Sequence, residues 1–154
     1  MKKLFSLIFA FLIINPIFAE DDFYDTAHQL ATCSGTFEIS ADLFSIMGGS
    51  EAETTAVKEK ANGWFIGAVV FFMTDGMTPE GAWSSAQGVK DTEMSYWMAR
   101  IESSQDKYAS EDENMESFFK VVTELGEINT NECILYGELV EEAIKVYRQM
   151  AYSS

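Results

Sequence analysis

The chain has 154 residues, with 25 acidic against 10 basic side chains, a formal net charge of −15 and a single histidine. That excess of negative charge excludes a phosphate-backbone partner, whose binding depends on neutralisation by Lys and Arg, and works against attachment to anionic membrane surfaces. The length suits one ordinary domain with its own core.

The first 19 residues read as a secretory signal. Lys2 and Lys3 form a positive start, residues 4–14 form an apolar core, and Asn15 and Pro16 break the run before Ala19, the expected last residue of the leader. The apolar run is shorter than the roughly 20 residues a membrane anchor takes. Cleavage leaves residues 20–154 as a single helical domain. It also removes two lysines, so the net charge moves from −15 to −17. The expected destination is the periplasm or the extracellular space, with no membrane association after cleavage. In such a compartment two cysteines, Cys33 and Cys133, are expected to pair as a disulfide. Their wide separation excludes C-x-x-C redox chemistry and a local zinc knuckle.

Period-3.6 patterning dominates residues 20–154, and no strand-like alternation lasts. A first helix is predicted from Asp22 to Met47, its stripe running through Phe23, Ala27, Leu30, Ser34, Phe37, Ala41 and Phe44 until Gly48 and Gly49 stop it. A second opens on the capping box Ser50–Glu53 and runs to Thr74, with Asp75 and Gly76 ending it. It contains GWFIGAVVFFM, residues 63–73, the most apolar stretch after the leader. Eleven residues rise only about 16 Å, half a bilayer core, so a membrane span is rejected. A stretch apolar all round is expected at the centre of the bundle. Gly63 and Gly67 are expected to make room there for an aromatic from a neighbouring helix.

A third helix starts at Thr78 with Pro79 in its first position. Trp83, Met94, Trp97, Met98 and Ile101 mark its expected buried side, and Gly88 is a candidate break. A fourth opens on Ser110 with Glu113, presents Met115, Phe118, Phe119, Val122 and Leu125, and is expected to close at Gly126. A fifth starts near residues 129–131, with a stripe of Cys133, Tyr136, Val140, Ala143, Tyr147 and Met150. Short connections between helices imply antiparallel neighbours. The expected fold is therefore an all-α, up-down antiparallel bundle of four to five helices around an apolar central second helix.

The chemistry is bounded mostly by exclusion. One histidine, His28, cannot build a di-iron bundle or a zinc site with two imidazoles. No G-x-S-x-G surrounds a serine, which leaves a hydrolytic triad unsupported. Residues 112–124 fail the calcium-loop pattern, with Ser117 where glycine is needed and Thr123 where glutamate is. Met94 and Met98, four apart, have the spacing of a soft thioether pair, yet methionine at that spacing is ordinary core filling. No cofactor or metal is implied.

The layout of export signal, helices and one cysteine pair resembles that of the small periplasmic acid-stress chaperones, though no motif is shared and no residue role carries over. The expectation is a small exported, acidic binding or interaction module for a protein partner, with no catalytic constellation in view. Two alternatives stand beside it. One is a carrier of a small apolar ligand in a pocket between helices near Trp64 and Phe71. The other is a hydrolase built on a pair of carboxylates.

Overall fold

The computed structural model describes residues 23–105 and 109–152. The expected signal at 1–19 and its cleavage point lie outside the described residues. The domain is all-α: α1 (Phe23–Ile46), α2 (Glu51–Thr74), α3 (Pro79–Ser103), α4 (Glu111–Asn131), a 3₁₀ turn at Cys133–Tyr136, and α5 (Gly137–Ala151). Among these residues no helix is long and apolar enough to cross a membrane.

Local chemistry sets the ends of the elements. Ser50 and Ser110 each accept from the backbone N–H three residues on, and Glu53 and Glu113 reach back to complete two capping boxes. Thr78 accepts from the Gly81 N–H ahead of α3, with Pro79 in the position where a missing N–H costs nothing. Two C-termini close by the same device. Gly48 and Gly76 have φ of 86° and 101°, in the left-handed region that L side chains rarely adopt. The following N–H groups then turn back, Gly49 to the Phe44 carbonyl at 2.8 Å and Met77 to the Phe72 carbonyl at 3.1 Å.

Cross-contacts fix the directions. Along the α1–α2 pair, Phe23 meets Phe71, Leu30 meets Gly67, Ser34 bonds the Ala61 carbonyl, and Asp42 meets Lys58, so the two helices run antiparallel. α3 runs parallel to α1, with Gly35 against Lys90 and Glu93 and with Ile39 and Leu43 sharing a cluster with Trp97. α4 returns antiparallel to α1, and α5 antiparallel to α2, where Val140 faces Gly67 and Ile144 faces Gly63. The bundle is thus up-down throughout. α2 is central along residues 61–72, as its composition demands, while α1 beside it reaches both parts of the core. The larger part contains Leu30, Ala68, Phe72 and Val140. A smaller one, at the end where α1 and α3 terminate, holds Ile39, Leu43, Trp97, Val121 and Leu125.

Several expectations are corrected by this packing. Gly88 does not break α3 and Gly126 does not close α4, because one helical glycine costs only about 1 kcal/mol, less than the packing of a long helix returns. The space beside Gly63 and Gly67 is filled by aliphatic Val140, Ile144 and Leu30 rather than by an aromatic. The fifth helix begins later than expected, at Gly137, after a tight turn that carries Cys133. Trp83, Met98, Met115 and Phe119, all expected inside, are exposed. On α4 the buried line is Val121, Leu125 and Asn129, rotated from the expected face.

Candidate functional site

The disulfide forms the best-defined node of the fold. Cys33 and Cys133 are bonded, with Cα atoms 5.6 Å apart, and both are fully buried. A seam of polar side chains runs beside the bridge. The Thr36 hydroxyl reaches the Cys33 carbonyl at 2.9 Å and Asn129 Oδ1 at 2.7 Å, and Asn129 Nδ2 donates to Ser40 Oγ at 2.8 Å. Ser40 in turn donates to the Thr36 carbonyl. Each polar group buried here has a partner, which is the condition for burying it at tolerable cost. The seam pins α4 and the turn after it to the middle of α1. Its role is mechanical.

Trp64 and Phe71, the residues expected to line an apolar pocket, are core side chains. Trp64 stacks on Phe37 with ring centres 5.9 Å apart and planes 3° apart, and Phe71 tilts against Phe23 at 6.3 Å. Both are buried, and neither lines either of the two surface grooves on α3. Met94 packs on the smaller core while Met98 is exposed. Among the described residues no group of three or more His, Cys, Asp or Glu side chains converges as a metal site.

The surface carries two distinctive features. One is the pair of grooves on α3. Between α1 and α3 runs a groove of about 310 Å³, with the buried ring of Phe72 as its floor and Tyr24, His28, Thr32, Ser85, Thr92 and Glu93 along its sides. A shallower depression follows the outer side of α3 past Glu80, Trp83, Ser84, Gln87 and Asp91. Both are lined by Gly88, so they meet across that residue. Small side chains on the facing helices leave the first groove open, and the Gly88 side is open because a Cβ built there would meet nothing within 4 Å. His28 is exposed in this groove.

The second feature is the end of the bundle formed by the α1–α2 turn, the C-terminus of α3 and the start of α4. Ile46, Met47, Met98, Met115 and Phe119 are exposed there by 46–79%. The same end carries Glu51 and Glu53 of α2, Glu102 of α3, and Glu111, Asp112, Glu113 and Glu116 of α4, all exposed. The backbone N–H and hydroxyl of Ser110 hold the Glu113 carboxyl below the usual carboxylate range. Acids at the α2 and α4 N-termini are favoured by the positive ends of those helix dipoles, so this charge is built into the caps. The nearby cation Arg100 is already engaged. Its guanidinium grips both Glu124 oxygens at 2.6 and 2.7 Å and lies over the Trp97 ring at 5.0 Å. That fork lowers the Glu124 carboxyl as well.

The class that fold and surface define is a small disulfide-linked helical bundle with an acidic, apolar-studded end and two surface grooves beside α3. Comparison with protein-family models, with curated proteins and with solved structures finds no match.

Proposed function

We propose that the protein is an exported binding module whose working surface is the acidic, methionine-bearing end of the bundle, and that its partner presents a cationic amphipathic segment. The observation that carries this reading is that Ile46, Met47, Met98, Met115 and Phe119, all exposed, and seven exposed carboxylates from three helices lie toward the same end of the bundle. Large apolar side chains left in water at one place favour an interaction site. Unbranched methionine adapts to partners of varied shape. The surrounding carboxylates steer a basic partner and repel a second copy of this acidic chain. The buried Cys33–Cys133 bridge supports export, since disulfides persist in oxidising compartments.

The test is titration of the signal-free chain with two synthetic helical peptides sharing one apolar face, one lysine-rich and one with glutamine in place of lysine, read by calorimetry. The reading expects the lysine peptide to bind in the micromolar range, more weakly as salt rises. It expects at least about a tenfold loss for the charge-neutral variant Met98→Ser/Met115→Ser/Phe119→Ser, equivalent to about 1.4 kcal/mol. Binding that this variant leaves unchanged would be plain charge attraction and would refute the proposal, as would no binding at low salt.

A further inference from the structure

We propose that the two grooves meeting at Gly88 form one trough that binds an uncharged oligosaccharide. It lies toward the opposite end of the bundle from the methionine-bearing surface and does not depend on that reading.

Two aromatic platforms border the trough. Tyr24 and Trp83 are about half exposed, at 47% and 48%, yet neither is loose. Tyr24 meets the buried Phe72 ring edge-on at 5.4 Å, and Trp83 meets buried Phe65 edge-on at 4.7 Å. An aromatic ring carries partial negative charge on its face, which suits the weakly positive C–H groups on one side of a sugar ring. Between the platforms lie groups that both donate and accept. Gln87 Nε2 donates to Asp91 Oδ1 at 2.7 Å, which holds this amide–carboxylate pair in place. His28, Thr32 and Ser85 line the groove with no polar partner among the described residues. Sugar hydroxyls, each a donor and an acceptor, can use both kinds of group.

The charges select among ligands. No Lys or Arg lines either groove, and Glu80, Asp91 and Glu93 do, so an anionic glycan is repelled. A polyamine would use the carboxylates but not the amide, hydroxyl and imidazole donors. Two of those carboxylates are also already occupied, Asp91 by Gln87 and Glu93 by the Trp97 indole N–H at 2.7 Å. From Pro79 to Glu93 the trough follows α3 for about 21 Å, room for several linked sugar rings.

Gly88 keeps the junction of the two grooves open. A Cβ at Gly35 would meet the Lys90 carbonyl at 2.9 Å and one at Gly67 would meet Leu30 at 3.3 Å, whereas Gly88 shares open space with Gly126 of α4. At Gly88 it would meet nothing. A residue that weakens the helix without serving any contact sits where the two grooves join, and any larger side chain there would stand in the trough.

The experiment titrates the signal-free chain with uncharged oligosaccharides of glucose, mannose and N-acetylglucosamine up to millimolar concentration, with spermine as a separate arm, followed by tryptophan fluorescence and saturation-transfer NMR. At least one glycan is expected to bind, and Trp83→Ala and Gly88→Leu are each expected to weaken it by about tenfold or more. Gly88→Leu separates binding from folding, because it is expected to melt no lower than the parent while losing the ligand. Binding of none of the glycans, binding of spermine alone, or glycan binding that Gly88→Leu leaves intact would overturn the assignment.

Discussion

Replacing Cys33 and Cys133 together by alanine removes a cross-link spanning 100 residues. In the chain-entropy account a loop of that length restricts the unfolded ensemble by about 4.7 kcal/mol. The whole stability of a domain is about 5–15 kcal/mol, so this one link is a large share of it. The structure gives little to compensate. What remains at the node is the hydrogen-bonded seam of Thr36, Asn129 and Ser40, worth about 1 kcal/mol per bond. The two sulfurs are fully buried, so their removal also leaves unfilled space. Urea unfolding followed by far-UV dichroism should show the midpoint falling by about 2–3 M. The melting temperature should fall by about 10–20 °C. The slope should rise, because an unlinked chain exposes more surface when unfolded. A loss below about 1 kcal/mol with an unchanged slope would mean that the bridge does not restrain the unfolded chain, and the entropic reasoning would be wrong.

Other outcomes are tied to particular contacts. Gly35→Ala places a methyl 2.9 Å from the Lys90 carbonyl and the Glu93 Cβ, so α1 and α3 must separate; a loss of about 1–3 kcal/mol is expected. Gly88→Ala meets nothing and should gain up to about 1 kcal/mol from helix propensity, so urea midpoints moving the same way for both would contradict the packing. Glu124 is held below its usual range by Arg100, and Glu113 by Ser110. A carboxyl depressed in the folded state contributes stability above its unfolded pKa, and that contribution fades as pH falls through the folded value. α4 should therefore stay protected at neutral pH and loosen below about pH 4, ahead of α2. Amide exchange of α4 and α2 compared at neutral and acid pH checks this, and equal protection of both helices throughout would refute it.

Much of this protein is local, and the local part is legible in one dimension. The caps at Ser50, Thr78 and Ser110 bind N–H groups three residues away, and the turns at Gly48 and Gly76 need a backbone conformation few other residues adopt. Such interactions close within one helical turn, so helix starts, two helix ends and the all-α class are set by adjacent residues. Burial of most of residues 63–72 is set the same way, because a stretch apolar on every side has no face to give to water. The cysteine pairing is expected from a count of two together with the expected export, and the structure joins the two.

What the chain order does not carry is which helix covers which face, and for how far. Trp83 and Phe119 have the spacing of buried residues, yet each is about half exposed. α4 packs against only the end of α3 beyond Met94, so the outer side of α3 around Trp83 is left uncovered, and Phe119 stands well round the helix from the buried line of Val121 and Leu125. Both candidate surfaces arise from that partial coverage. The trough needs Tyr24 and His28 of α1 beside Ser85 and Gly88 of α3, residues about sixty apart in the chain. Periodicity records that a side is apolar; only the tertiary arrangement decides whether another helix arrives to cover it, since covering depends on the lengths and directions of every element at once.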